Sequence, residues 1–154
     1  QIHGFGVRQS TLALSIFFGL VIVGRLVGSV VVDRVGYLRA VAIGMACGSL
    51  CIGAGLFIPG AFWLLPASGL FLSITFPTLT AAVSNTYTTN VSAILGLLFT
   101  FAGLGGIFGP WVVGLVANRA GIQPGFSLIL LFGVLTLLIV IKLERAQAQA
   151  QQHE

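Results

Sequence analysis

The stretch GRLVGSVVVDRVGYLR, residues 24–39, sets an apolar run against a tight group of charges: Asp33 and Arg34 stand side by side, Gly36 follows, and Arg39 closes the group. An apolar helix that ends on adjacent opposite charges and a glycine is one that stops at a polar boundary. The charges take the rim, and the glycine allows the chain to turn sharply. Upstream, residues 11–32 carry a single charge, Arg25. That run is close to the roughly 20 residues an α-helix needs to cross a hydrocarbon core of about 30 Å.

Working outward, four further apolar runs of similar length follow at 40–58, 61–83, 93–117 and 125–141, and none of them contains a charged residue. The separators at 33–39, 59–60, 84–92 and 118–124 are rich in turn formers or charge. The expected fold class is therefore all-α, a polytopic membrane bundle of about five transmembrane helices. Residues 1–143 form the bundle, and the Ala/Gln-rich residues 144–154 form a cytoplasmic tail, either a frayed helical extension or disordered, with no recognisable chemistry.

Composition agrees. The chain is 57% hydrophobic and 6% charged, whereas a soluble domain carries roughly a quarter charged residues. Such a chain cannot cover itself with a water-compatible surface, so lipid is the expected surrounding. The net charge of +4 does not point to nucleic acid, because the basic residues are scattered at segment ends and form no run. Placed by the positive-inside bias, Arg34, Arg39, Lys142 and Arg145 face the cytoplasm, with Arg25 close to that side, while Arg8 and Arg119 lie outside. The sequon Asn90-Val91-Ser92 then falls on the cytoplasmic side and is dismissed. No signal-peptide layout opens the chain, and its start at Gln1, with an odd number of spans, leads us to expect a piece of a longer protein.

Small residues recur at four-residue spacing: Gly24 and Gly28, Gly44 and Gly48, Gly105 and Gly109. Each pair lies on one helix face and lets another backbone come close, which is how helices associate when lipid removes the hydrophobic drive. Cys47 and Cys51 are one turn apart with no His or acid near them, and they read as packing residues.

The order of residues in 24–39 resembles the loop signature of the major facilitator superfamily: a small residue, Asp four positions on, then Arg, Gly and further basic residues. Ser29, Asp33, Arg34, Gly36 and Arg39 occupy those positions, preceded by the Gly24-Arg25 pair. Ser29 stands where Gly is usual, and Tyr37-Leu38 replace the first basic positions after Gly36. The resemblance implies a gate: the Asp33 carboxylate accepts from the exposed N–H groups at the start of a neighbouring helix when two bundles close on that side. A loop that only stops the helix and fixes topology is the other reading of these residues. For Arg25, costly if unpaired at its depth, both snorkelling to the rim and a partner such as Asp33 or a cavity carbonyl stay open.

The third run carries SITFPTLTAAVSN, residues 73–85, where Pro77 removes a helix N–H amid several hydroxyls. Broken helices at membrane depth are common substrate sites, although hydroxyls bonded back to the preceding turn would make this a packing kink only. Phe76-Pro77-Thr78 resembles the tenth helix of the fucose/glucose–galactose permease branch. The fourth run, with Gly105-x-x-x-Gly109-Pro110, is similar both to the eleventh helix of many members and to the fifth-helix motif of antiporters. The loop at 84–92 lacks the arginine expected after a fourth helix, so the runs match spans eight to twelve of a twelve-span protein. Span seven and the whole N-terminal half would then lie in the rest of the transporter, as its partner.

By resemblance, the expected function is alternating-access transport of a small polar solute, proton-coupled and of sugar type. Ser73, Phe76, Thr78, Phe99 and Thr100 are the expected substrate wall, and Gly24, Arg25, Asp33, Arg34, Gly36 and Arg39 the gate. The expected home is a plasma membrane, such as a bacterial inner membrane. Neither an enzyme nor a cofactor or metal is expected, since no nucleophile and base pair, metal cluster or phosphate loop is present. No span holds a central Asp, Glu or His, and His3 and His153 are terminal. The rival readings are a drug or metabolite exporter of the same superfamily, and a non-transporting membrane scaffold subunit.

Overall fold

The computed structural model describes residues 7–150; residues 1–6 and 151–154, which include Gln1, His3 and His153, lie outside the described part. Six helices follow one another: α1 (Val7–Val35), α2 (Tyr37–Phe57), α3 (Leu64–Leu72), α4 (Thr75–Thr86), α5 (Val91–Ala120) and α6 (Ile122–Ala150). No strand occurs among the described residues. With α3 and α4 taken as one span, five helices are long and apolar enough to cross a membrane: Thr11–Val35, Tyr37–Phe57, Leu64–Thr86, Val91–Ala120 and Ile122–Ala146.

Two of the expected separators shrink to a single glycine. Gly36 alone divides α1 from α2, with φ 89° and ψ 158°, a region open in practice only to glycine. Its N–H donates to the Val32 carbonyl at 2.9 Å, and its own carbonyl accepts from Ala40 at 3.0 Å. Gly121, at φ 99° and ψ 165°, divides α5 from α6 in the same way. The charged residues around Gly36 and Gly121 therefore ride on helices and not on loops. At a membrane rim only the side chains need headgroup water, while the backbone gains by keeping its helical bonds. The Ala/Gln segment likewise continues α6 to Ala150, as its strong helix formers favour.

The third span is broken at residues 73–74, one turn before Pro77. Proline has no N–H to give the Ser73 carbonyl, and its ring crowds that turn. The ladder resumes on either side, with Ser73 N–H to Gly69 O at 3.2 Å and Thr78 N–H to Ile74 O at 3.0 Å.

Around the bundle, α1 packs on α3, α4 meets α5, α5 meets α6, and α6 returns to α2, which also lies against α3, α4 and α1. The second span is thus the central one. Val41 is wholly enclosed and packs with Ala42, Met45 and Val140, whereas α5 buries no residue. Glycines set the closest approaches. A β-carbon at Gly24 would collide with the Leu70 carbonyl oxygen and Ser73 Oγ, and one at Gly28 with Ile74. At Gly44 it would stand 2.8 Å from Phe71 O, and at Gly48 2.5 Å from Leu72 Cδ2. Both glycine pairs thus seat their helices on the third span. Gly105 and Gly109 behave differently, with nothing within 4 Å. Cys47 and Cys51 are half-buried free thiols in α2.

Candidate functional site at the basic end of the bundle

Side chains on the first turn of α2 tie three helix ends together. Asn85 Nδ2, near the end of α4, donates to Tyr37 OH at 2.6 Å. Arg39 Nε donates to Glu144 Oε1 on α6 at 2.8 Å in an exposed ion pair. At the opposite end Gln123 Nε2 reaches Leu56 O at 3.5 Å. The up-and-down path so fixed puts Arg34, Arg39, Lys142 and Arg145 at one end, which the positive-inside rule assigns to the cytoplasm.

At that end a cleft of about 420 Å³ opens between the last turns of α1 and the start of α4. Arg25, Ser29, Val32 and Asp33 of α1 line one side, Pro77, Thr78 and Ala81 of α4 the other, and Tyr37 stands at its edge. Asp33 and Arg25 share this cleft, yet the ion pairs and side-chain hydrogen bonds of the described residues include neither. Arg34 is exposed in the last turn of α1, where a cation complements the helix dipole. Gly24 lies deeper, pressed on Leu70 and Ser73. Of the expected gate residues, then, Arg25 and Asp33 line the same side of the cleft without pairing. Arg39 is engaged with Glu144, and Gly36 makes the turn.

The expected substrate wall divides in two. Phe76 and Phe99 meet at 5.5 Å between ring centroids, tilted by 59°, with 42% and 48% of their surfaces open. Thr100, the residue after Phe99 on α5, is exposed and donates to Gly96 O at 2.8 Å. Ser73 and Thr78 turn the other way. Ser73 is buried against Gly24 and donates to Leu70 O at 2.9 Å, while Thr78, also buried, lines the cleft. The helical repeat sets Thr78 opposite Phe76, about 200° away around the axis, whereas Ser73 is separated from Phe76 by the break at residues 73–74. Three hydroxyls of this span bond within it: Ser68 to Leu65 O, Ser73 to Leu70 O and Thr80 to Phe76 O. Thr75 instead meets Met45 Sδ at 3.5 Å.

Sequence reading did not single out Tyr37, Asn85 or Glu144 as contacts. Tyr37 stood out only as a departure from the loop signature, and nothing local links Glu144 to a residue 105 positions away. Among the described residues no group of three or more His, Cys, Asp or Glu could hold a metal ion.

Apolar helices of spanning length, packed through glycines and carrying exposed aliphatic and aromatic faces, define a multi-pass helical membrane protein. The family model described as Major Facilitator Superfamily matches residues 1–154. The chain belongs to the major facilitator superfamily, and with it to the secondary transporters and not to an enzyme family. Neither the curated proteins nor the solved structures gave a match.

Proposed function

We propose that the chain supplies spans eight to twelve of a plasma-membrane transporter, such as one of a bacterial inner membrane, that takes up a small polar solute of sugar type with protons. Its N-terminal half would complete the substrate path, because sites of this kind lie between two repeats near mid-depth. The observation that carries the reading is the cleft at the basic end, where an uncommitted Asp33 sits beside a span broken upstream of Pro77. In closing, Asp33 accepts from N–H groups at the start of a helix in the other half, whose partial positive charge it complements. The open Phe76–Phe99 pair supports the sugar assignment. Aromatic faces pack on the C–H faces of a pyranose, and the exposed Thr100, next to Phe99 in the chain, retains lone pairs for a sugar hydroxyl.

The test is uptake of labelled hexoses into proteoliposomes holding the full-length transporter, with and without an imposed proton gradient and with Asp33→Asn alongside. Gradient-driven uptake that falls in the variant supports both the substrate and the gate. No hexose uptake under any gradient removes the sugar assignment and brings the exporter reading forward.

A further inference from the structure

Arg25 sits about 12 Å before Asp33 along α1, by the rise of eight helical residues, and both line the same cleft. An arginine stem turned toward the rim, the direction its hydration favours, narrows the gap between the charges. They nevertheless form no ion pair; the one bridge among the described residues is Arg39–Glu144. The chain has three acidic residues. Glu144 is engaged with Arg39 and Glu154 lies outside the described part, so Asp33 is the one described acid left to neutralise Arg25, and it does not. A guanidinium at this depth without a counter-charge is costly. Thr78 adds to the case: it is buried, lines the cleft, and its hydroxyl makes no hydrogen bond among the described residues, unlike those of Ser68 and Ser73 on the same span. Tyr37 OH accepts from Asn85 and so keeps its own proton to donate.

The cleft therefore offers donors at its deep end, a carboxylate at its mouth, and no internal pairing. We propose that it binds a small zwitterion, with a carboxylate or phosphate held by Arg25 and Thr78 and an ammonium held by Asp33. A planar guanidinium grips an oxyanion through two parallel bonds, and a volume near 420 Å³ suits a compact solute. Phe76 and Phe99 do not line this cleft, so the site does not rest on the sugar assignment.

The test compares equilibrium binding of three probes, 4-aminobutyrate, butyrate and butylamine, to the full-length protein in phosphatidylglycerol nanodiscs. The zwitterion is expected to bind at least about tenfold tighter than either singly charged analogue, the scale of one charge-assisted contact. Asp33→Asn should erase its advantage over butyrate but not over butylamine, and Arg25→Gln the reverse. Each comparison is made within one variant, so a general loss of folding or gating, which weakens all probes alike, does not imitate the result. Equal binding of the three probes, binding of none, or an advantage that survives both substitutions would overturn the proposal. Repeating the measurement with phosphatidylethanolamine in the bilayer tells the sources apart: competition assigns the zwitterion to a lipid headgroup, and its absence to a free solute.

Discussion

Gly24 is where the first span presses on the backbone of the third, and replacing it with alanine tests whether that contact holds α1 in place. A β-carbon there would overlap the Leu70 carbonyl oxygen and Ser73 Oγ and lie 2.9 Å from the Leu70 carbonyl carbon. Two of these three atoms are backbone, which cannot rotate aside, so α1 must move away from α3. Overpacking of this kind costs about 1–3 kcal/mol, and backbone obstruction places it near 3. Alanine returns about 1 kcal/mol of helix propensity over glycine, leaving a net loss of about 2 kcal/mol. Gly19, five residues earlier on the same helix, has nothing within 4 Å. Gly19→Ala therefore keeps the propensity gain without the collision, and the two variants should differ by about 3 kcal/mol. Reversible unfolding in mixed micelles, followed by far-ultraviolet circular dichroism, measures both. A Gly24→Ala protein as stable as Gly19→Ala would refute the contact and the placement of α1 against α3.

Gly36→Ala forces a β-carbon into backbone space that L residues avoid and should cost about 1–3 kcal/mol in the same assay. Gly36→Asn should be no better, since φ 89° with ψ 158° lies outside the left-handed helical region that asparagine tolerates. For Arg39 and Glu144, 68% and 32% exposed as side chains, a double-mutant cycle with Arg39→Gln and Glu144→Gln should give a coupling below about 1 kcal/mol, shrinking further at high salt. Pro77→Ala restores an N–H for the Ser73 carbonyl, so stability should hold or rise. Transport by the full-length protein should fall if the break is used in turnover, and unchanged uptake would make the break a packing feature alone.

Much of the fold was legible because span length and charge placement are local properties. The run ending at Asp33 and the proline at 77 identify a rim and a weak point without any knowledge of neighbours. The glycine pairs at 24/28 and 44/48 announced close approach, but the sequence could not say that both would seat on the third span, nor that Gly105 and Gly109 would stay open. Those outcomes depend on which faces meet, a relation between distant segments. Residues 33–39 and 118–124 read as loops because charge and turn formers crowd there, whereas the backbone needs a single glycine to reverse direction. The candidate site was half legible for the same reason. Asp33 and Arg25 are marked by being charges in apolar surroundings, but the division of Ser73 and Thr78 from Phe76 follows from helical phase about a broken axis.

The one-residue links at Gly36 and Gly121 also bear on how a protease would see the protein. A protease must draw an extended stretch of chain into its active site, and a lone glycine between two helices offers none. At the basic end of the bundle the described chain then presents residues 87–90, between α4 and α5, as its exposed non-helical passage. Cutting there would separate α1 to α4 from the α5–α6 hairpin while leaving each part threaded through the membrane, held to its neighbour by packing alone.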